Sequence, residues 1–239
     1  MIVDGANVVR ELLNSGVHID KIIAEKSTNK EILQIMDIAN RRGVPVQVVE
    51  KKDLERIAKT KTQGVVAFIP NFKYCDVRDI MLEAERKGEK PFIVILDGIE
   101  DPHNLGAIIR TCECAGVHGV IIPENRACEV NATVFRTSAG AISNMNVCRV
   151  VNLTRTIEEL KEQGVWVYAM EAGSKRIYDA DFTYPTAIVV GSEGKGVSRL
   201  VKEHADEVLS LDMFGHVNSL NASNASAIAV YEVVRQRRK

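Results

Sequence analysis

No stretch of this 239-residue sequence approaches the roughly 18 consecutive apolar residues that a membrane-spanning helix needs. Met1 to Leu13 carry neither the basic cluster nor the apolar core of a secretory leader. A soluble, cytoplasmic protein is the expectation. Cysteine is sparse: there are five, an odd number, with no Cys-x-x-Cys pair and no Cys/His cluster at zinc spacing. Cys112 and Cys114, two residues apart, would point to different faces of a helix. That pattern argues against a disulfide framework or a structural zinc and fits a reducing compartment. Without secretion, Asn221-Ala222-Ser223 and Asn224-Ala225-Ser226 carry no meaning as glycosylation sites. An excess of one charge is missing too: the net charge is −1, with the first 70 residues at +2 and residues 91–239 at −3. Neither part has the basic footprint of bulk nucleic-acid binding. Any RNA contact must come from local patches such as Arg41-Arg42 or Lys51-Lys52, which otherwise read as solvated helix ends.

What is present is the balance of a globular chain, 46% hydrophobic and 26% charged. In the first part, Ile22–Ala24, Val44–Val49 and Val65–Ile69 read as strands. Asn7–Leu13, Lys30–Arg42 and Lys52–Ala58 read as helices, with Gly43-Val44-Pro45 as a turn. This is a small α/β domain over residues 1–72. Residues 73–90, highly charged from Met81 and followed by Pro91, read as a linker with some helix. From residue 91 to 239 a second α/β domain follows. Its apolar runs are Phe92–Leu96, Val117–Ile122, Val147–Val151, Trp166–Met170, Ala187–Val190 and Val208–Leu211, and a last helix spans about Leu220 to Arg238. Continuous apolar runs alternating with helices predict a mostly parallel sheet covered on both faces. Ligands then bind beyond the carboxyl ends of the strands.

Three loops at those ends carry unusual chemistry. In Asp97 to Arg110, Asn104 is placed to cap a helix whose stripe is Leu105, Ile108, Ile109 and Cys112, and Arg110 lies off the stripe. The plain alternative is a capping Asn and a surface Arg. Val190 to Val197 holds glycines at 191, 194 and 196, which let backbone approach a ligand. It is neither a Walker A sequence nor GxGxxG, and Glu193 would repel phosphates, so a neutral or cationic ligand fits better. Leu211 to Ser223 is rich in Asn and Ser and leads into Ala225–Ala229, whose small residues suit a close helix–helix contact.

Together and in this order, the segments resemble the signature motifs of the SpoU/TrmH family of RNA 2′-O-methyltransferases, in the SPOUT superfamily. The matching stretches are Asn104-Leu-Gly-Ala-Ile-Ile-Arg110, Gly191-Ser-Glu-Gly-Lys-Gly196 and Ser219-Leu-Asn-Ala-Ser223. Thr137–Ile142 looks like the family's Ser-x-Gly-Ala segment, and Asn152-Leu153 follows it. Gly5-Ala-Asn7 and Gln63-Gly64-Val65-Val66-Ala67 resemble the substrate-binding domain of the branch that methylates a guanosine of 23S ribosomal RNA.

The resemblance implies an α/β domain with a C-terminal trefoil knot, an N-terminal RNA-binding domain and a homodimer. It implies S-adenosyl-L-methionine (SAM) as cofactor, no metal, and an RNA substrate. It assigns Gly191, Leu211, Leu220, Met213, Ala169 and Gly196 to the cofactor, with Ala169–Ala172 lining the same pocket. It assigns Arg110, Asn104, Glu193, Ser219 and Asn221 to catalysis. In the family Arg110 would take the ribose proton. Because guanidinium is always charged, a phosphate- and alkoxide-stabilising role fits it better. Three positions depart from the family pattern: Leu211-Asp212-Met213 stands where Ile-Pro-Met is usual, Asn224 where an apolar residue is, and Thr62 where His is common. Asp212 would add a charge beside the adenine site. A transfer-RNA methyltransferase, an antibiotic-resistance methyltransferase or a non-catalytic ribosome-assembly protein on the same fold remain as alternatives.

Overall fold

Alternation of β-branched runs with amphipathic helices produces two α/β units in the computed structural model, which describes residues 1–14, 17–58 and 62–238. One unit comprises Met1–Lys73 and Glu129–Asn144, the other Tyr74–Cys128 and Met145–Lys239. The first opens with β1 (Ile2–Asp4), α1 (Ala6–Asn14), β2 (Lys21–Glu25), α2 (Lys30–Arg41), β3 (Val46–Val49), α3 (Lys51–Ala58) and β4 (Val65–Phe68). Its sheet has the order β1-β4-β2-β3, parallel only between β2 and β3. The two sequence patches that resemble the substrate-binding domain meet here. The Ala6 amide donates to Gln63 Oε1 at 3.2 Å, and Gly5 donates to the Val65 carbonyl at 3.3 Å. Gly64 takes φ +86° over Ile32 and Glu25, leaving no room for a side chain.

The second unit starts earlier than the sequence suggests. The expected linker is mostly α4 (Val77–Lys87), opened by a reciprocal Asp76/Asp79 capping box and closed by Gly88 at φ +66°. Its charged surface hides an apolar face. Ile80 and Ala84 are buried, and Ile80 packs so closely over Gly119 that a β-carbon there would overlap it. Next come β5 (Phe92–Asp97), α5 (Pro102–Ala115) and β6 (Gly119–Pro123).

The chain then returns to the first unit as α6 (Ala132–Thr137), whose Arg136 lies 3.6 Å from Asp4. Gly140, at φ +86°, rests on the side chain of Glu11. The Thr137–Ile142 segment therefore belongs with the N-terminal strands and helices. The family resemblance had counted it in the C-terminal domain, residues 91–239.

The rest is β7 (Val147–Val150), α7 (Leu153–Glu162), β8 (Trp166–Arg176), β9 (Thr186–Gly191), α8 (Arg199–His204), β10 (Glu207–Ser210) and α9 (Ala222–Arg237). All six strands of this sheet run parallel, in the order β10-β8-β9-β5-β6-β7. Strands β5 and β9 sit at its centre and are buried along nearly their whole length, as their unbroken apolar runs require. Among the described residues no helix is long and apolar enough to cross a membrane, and no His/Cys/Asp/Glu cluster could hold a metal.

Helices α5 and α9 pack together through small residues. Gly106 faces inward on α5; Ala222, Ser226 and Ala229 do so on α9, and the Ser226 hydroxyl bonds back to the Ala222 carbonyl at 2.8 Å. The amino ends of the strands border a cavity of about 580 Å³ lined by the last turns of α5 and α9. There Arg237 donates to the carbonyls of Lys90, Pro91, Phe182 and Tyr184. Buried His118 accepts the Phe92 amide on Nδ1 at 3.0 Å, and its Nε2 lies 3.0 Å from Glu89.

Candidate active site

The amino ends of α5 and α9 point to the carboxyl ends of the strands. Helix α5 is capped by Asp101, which accepts from the His103 amide at 2.9 Å, with Pro102 in the first turn. Asn104 is therefore not the cap. It lies within the first turn and is 9% exposed, its amide turned to the neighbouring loops. The Asp101-Pro102 pair was the sequence signal for the true cap. Asn221 does cap its helix, α9, accepting from the Ser223 amide at 2.9 Å.

These side chains converge on Glu193. Asn104 Nδ2 donates to Glu193 Oε1 at 3.0 Å, Asn221 Nδ2 donates to Asn104 Oδ1 at 3.0 Å, and Asn221 Nδ2 also donates to Glu193 Oε1. The Ala222 amide makes a longer contact with the same oxygen at 3.5 Å. A carboxylate beside two helix amino ends is electrostatically favoured. One oxygen is thus held from three directions, and the other, Oε2, has no protein partner among the described residues.

The loop that carries Glu193 doubles back on itself. Ser192 bridges Gly196, whose amide donates to the Ser192 carbonyl at 2.9 Å, and Gly194 and Gly196 take φ +82° and +65°. At Gly191 a β-carbon would collide with the main chain of Gly196 and Val197. Asp97 anchors the far end by accepting from the Ser198 amide at 2.8 Å. The tight turn follows from the glycine spacing and would not survive a side chain at position 191.

Two cavities flank this loop. The first, about 580 Å³, is lined by Met170 to Ala172, by Val190 to Gly196, by Leu211 and Met213, and by the 218–222 turn. It includes Gly191, Gly196, Leu211, Met213, Leu220, Ser219 and Asn221, all singled out from the sequence. Ala169 does not line it. Ala169 is fully buried in the core, and the residues that reach the cavity, Met170, Glu171 and Ala172, lie further along β8.

The second cavity, about 400 Å³, has Asp97, Asp101, Asn104 and Arg126 among its lining residues and shares Ser192, Glu193, Lys195 and Gly196 with the first. Arg126 gave no signal in the sequence. It sits after β6 with φ +58°, in the left-handed region. Arg110 lines neither cavity. It is exposed on α5 and makes no hydrogen bond or ion pair among the described residues. Asp212 does not line the first cavity; it pairs with Arg176 at 2.9 Å, so its charge is compensated away from the pocket.

Known proteins match both units. The SpoU rRNA methylase family profile matches residues 91–231, and the profile for RNA 2′-O ribose methyltransferase substrate binding matches residues 2–75. The Bacillus subtilis protein YacO, named as a TrmH-family tRNA/rRNA methyltransferase, is 43% identical over 235 residues, covering 98% of this chain and 94% of its own. A Staphylococcus haemolyticus protein of the same naming is 44% identical over 239 residues, covering 99% and 96%.

Among solved structures, the SpoU methyltransferase AviRb of Streptomyces viridochromogenes, in complex with AdoMet, aligns with a TM-score of 0.82 at 23% identity. It covers 100% of this chain and 90% of that one, a likeness of fold. An AdoMet-bound rRNA methyltransferase of Sinorhizobium meliloti aligns with a TM-score of 0.79 at 25% identity, covering 98% and 86%.

Proposed function

The chain belongs to the SpoU methylase family of RNA methyltransferases, and from that premise we propose that it transfers a methyl group from SAM to a ribose 2′-hydroxyl, in a guanosine of 23S ribosomal RNA. The observation that carries this reading is the Asn104–Glu193–Asn221 network, which joins three distant segments at the wall between two cavities.

The first cavity fits the cofactor. Its volume lies in the range of about 300–1,000 Å³ typical of small-molecule sites. Met170, Leu211, Met213 and Leu220 supply apolar surface, the glycine loop supplies main-chain groups, and Glu193 supplies negative charge for a sulfonium, Glu171 being paired with Lys202 at 3.1 Å. When bound, SAM supplies an electrophilic methyl carbon. The protein's task is to place a ribose hydroxyl in line with it, and positioning alone is worth several powers of ten in rate.

The second cavity receives the ribose. Asn104 and Asn221 hold Glu193, and its free oxygen orients the entering hydroxyl; Ser219 lines the adjoining cofactor cavity. Arg110, exposed on α5 outside both cavities, grips the adjacent phosphate and so positions the ribose. The reading includes a homodimer with its active site near the interface, supported by the exposed Phe214, Val217, Ile228 and Tyr231 around α9 and its preceding loop. It includes the family's trefoil knot, a cytoplasmic location and an N-terminal unit that holds the RNA.

The test is transfer of labelled methyl from SAM to 23S ribosomal RNA fragments and to transfer RNA, with the nucleotide mapped. Arg110→Ala should bind SAM as the wild type does and transfer no methyl. Ribose methylation of transfer RNA alone would move the substrate assignment. No transfer to either RNA by a protein that binds SAM would leave the fold as a non-catalytic RNA binder.

A further inference from the structure

Of the five cysteines, two are brought together. Cys75 lies in the residues just before α4 and is partly exposed. It forms an isolated parallel bridge with Cys148 on β7, the edge strand of the six-stranded sheet, and its amide donates to the Val147 carbonyl at 3.0 Å. Directly paired residues on neighbouring strands sit about 4.8 Å apart. That falls within the Cα separation of about 4.4–6.8 Å that a disulfide spans. The two sulfurs are 2.7 Å apart, about 0.7 Å beyond a disulfide bond length. Cys112 and Cys128 are buried elsewhere, and Cys114 is exposed on α5.

We propose that Cys75 and Cys148 form an oxidation site that a peroxide-class oxidant converts to a disulfide. The Cys75 thiolate attacks one peroxide oxygen, the O–O bond breaks, and water leaves after protonation, with a sulfenic acid on Cys75. The Cys148 sulfur attacks that sulfur, the S–S bond forms, and the sulfenic oxygen leaves as a second water. Two thiols and one hydrogen peroxide thus give one disulfide and two waters, the peroxide taking both electrons.

The environment divides the roles. Cys75 is reachable from solvent. The hydrogen bond from Cys148 lowers its pKa, with burial, Asp76 and Asp79 working against this. Cys148 is fully buried, and its hydrogen bond to Cys75, with burial, pushes its thiol up, which suits it to resolve the sulfenic acid and not to meet the oxidant first. Each cysteine lies within a few residues of a point where the chain passes between the two units, at Lys73–Tyr74 and at Asn144–Met145. The bond would close a loop across 73 residues, both of its ends in the second unit.

The experiment treats the purified full chain with hydrogen peroxide, then denatures it, alkylates it with N-ethylmaleimide and maps its peptides by mass spectrometry with and without reduction. Alkylation should fall from five thiols by two, with the Cys75 and Cys148 peptides joined and two hydrogens lighter. The oxidised protein should melt roughly 5 °C higher, a shift that dithiothreitol reverses. Cys75→Ser and Cys148→Ala should each abolish the shift; should one variant not fold, the other and the wild-type peptide map decide. Peroxide treatment that leaves both cysteines alkylatable, or that drives Cys75 to sulfinic acid without a link, overturns the proposal.

Discussion

The two ends of the six-stranded sheet offer cavities of the same size, about 580 Å³ each, and α9 borders both, its first turn at one and its last turn at the other. At the amino ends the last turns of α5 and α9 meet basic side chains, the arrangement that helix carboxyl ends favour. Arg237 is bound to four carbonyls, Lys90 to the Thr183 carbonyl, and His118 on both ring nitrogens. At the carboxyl ends the first turns of α5 and α9 meet a carboxylate, yet Glu193 keeps one oxygen without a partner among the described residues, and exposed Arg126 and Lys195 stand nearby. Volume therefore does not distinguish a site from a structural gap. Hydrogen-bonding capacity left open does.

The contrast can be broken by substitution at either end. Asn104→Ala removes a donor from Glu193 and a partner from Asn221, and it should lower kcat for methyl transfer about 100-fold while the protein melts within a few degrees of wild type. Arg237→Ala should do the reverse. Exposing four carbonyls and losing charge-assisted bonds should cost about 2 kcal/mol and lower Tm by roughly 5 °C, with kcat within about twofold of wild type. Denaturation curves and initial rates on the same preparations separate the two.

The amino end should also be sensitive to acid. Burial, with Lys87 and Arg237 nearby, lowers the His118 pKa below its ordinary 6.5, and Nδ1 must stay unprotonated to accept the Phe92 amide. A base with a lowered folded pKa contributes stability above its unfolded value, and this is lost as pH falls from 6.5 through the folded one. Melting temperatures at falling pH should show that decline, and His118→Asn should flatten it. The smallest effect is expected from Asp212→Asn, which removes a partly exposed pair with Arg176 that is not part of the cavity lining. SAM affinity should change by about twofold or less in calorimetry.

Much of the fold was legible because periodicity reports burial. The central strands β5 and β9 read as unbroken apolar runs, and the small residues of Ala225–Ala229 announced a close helix contact. Helix α4 was read as part of a linker with some helix, because its many charged residues leave only Ile80 and Ala84 as a narrow buried stripe. Strand β1, three residues long, is too short to show a period. In the site, the glycine loop and the Asn and Ser positions were readable since backbone approach and capping demand those residue types. Asn104 was found for the wrong reason, as a cap, because spacing cannot show that Asp101 already fills that role. Ala169 was misplaced because β8 continues past Met170, so the residues at the cavity lie further along the strand. The nearness of Cys75 and Cys148 depends on an edge pairing that no local pattern encodes.

The most direct measurement is calorimetric titration of SAM into the wild type, Gly191→Ala and Arg237→Ala side by side. Gly191→Ala places a β-carbon on the main chain of Gly196 and Val197 at the carboxyl-end cavity, whereas Arg237→Ala alters only the amino end. The account predicts one SAM bound per chain for the wild type and Arg237→Ala and no detectable binding for a folded Gly191→Ala. Undiminished binding to Gly191→Ala, with loss in Arg237→Ala, would contradict it and move the cofactor to the other end of the sheet.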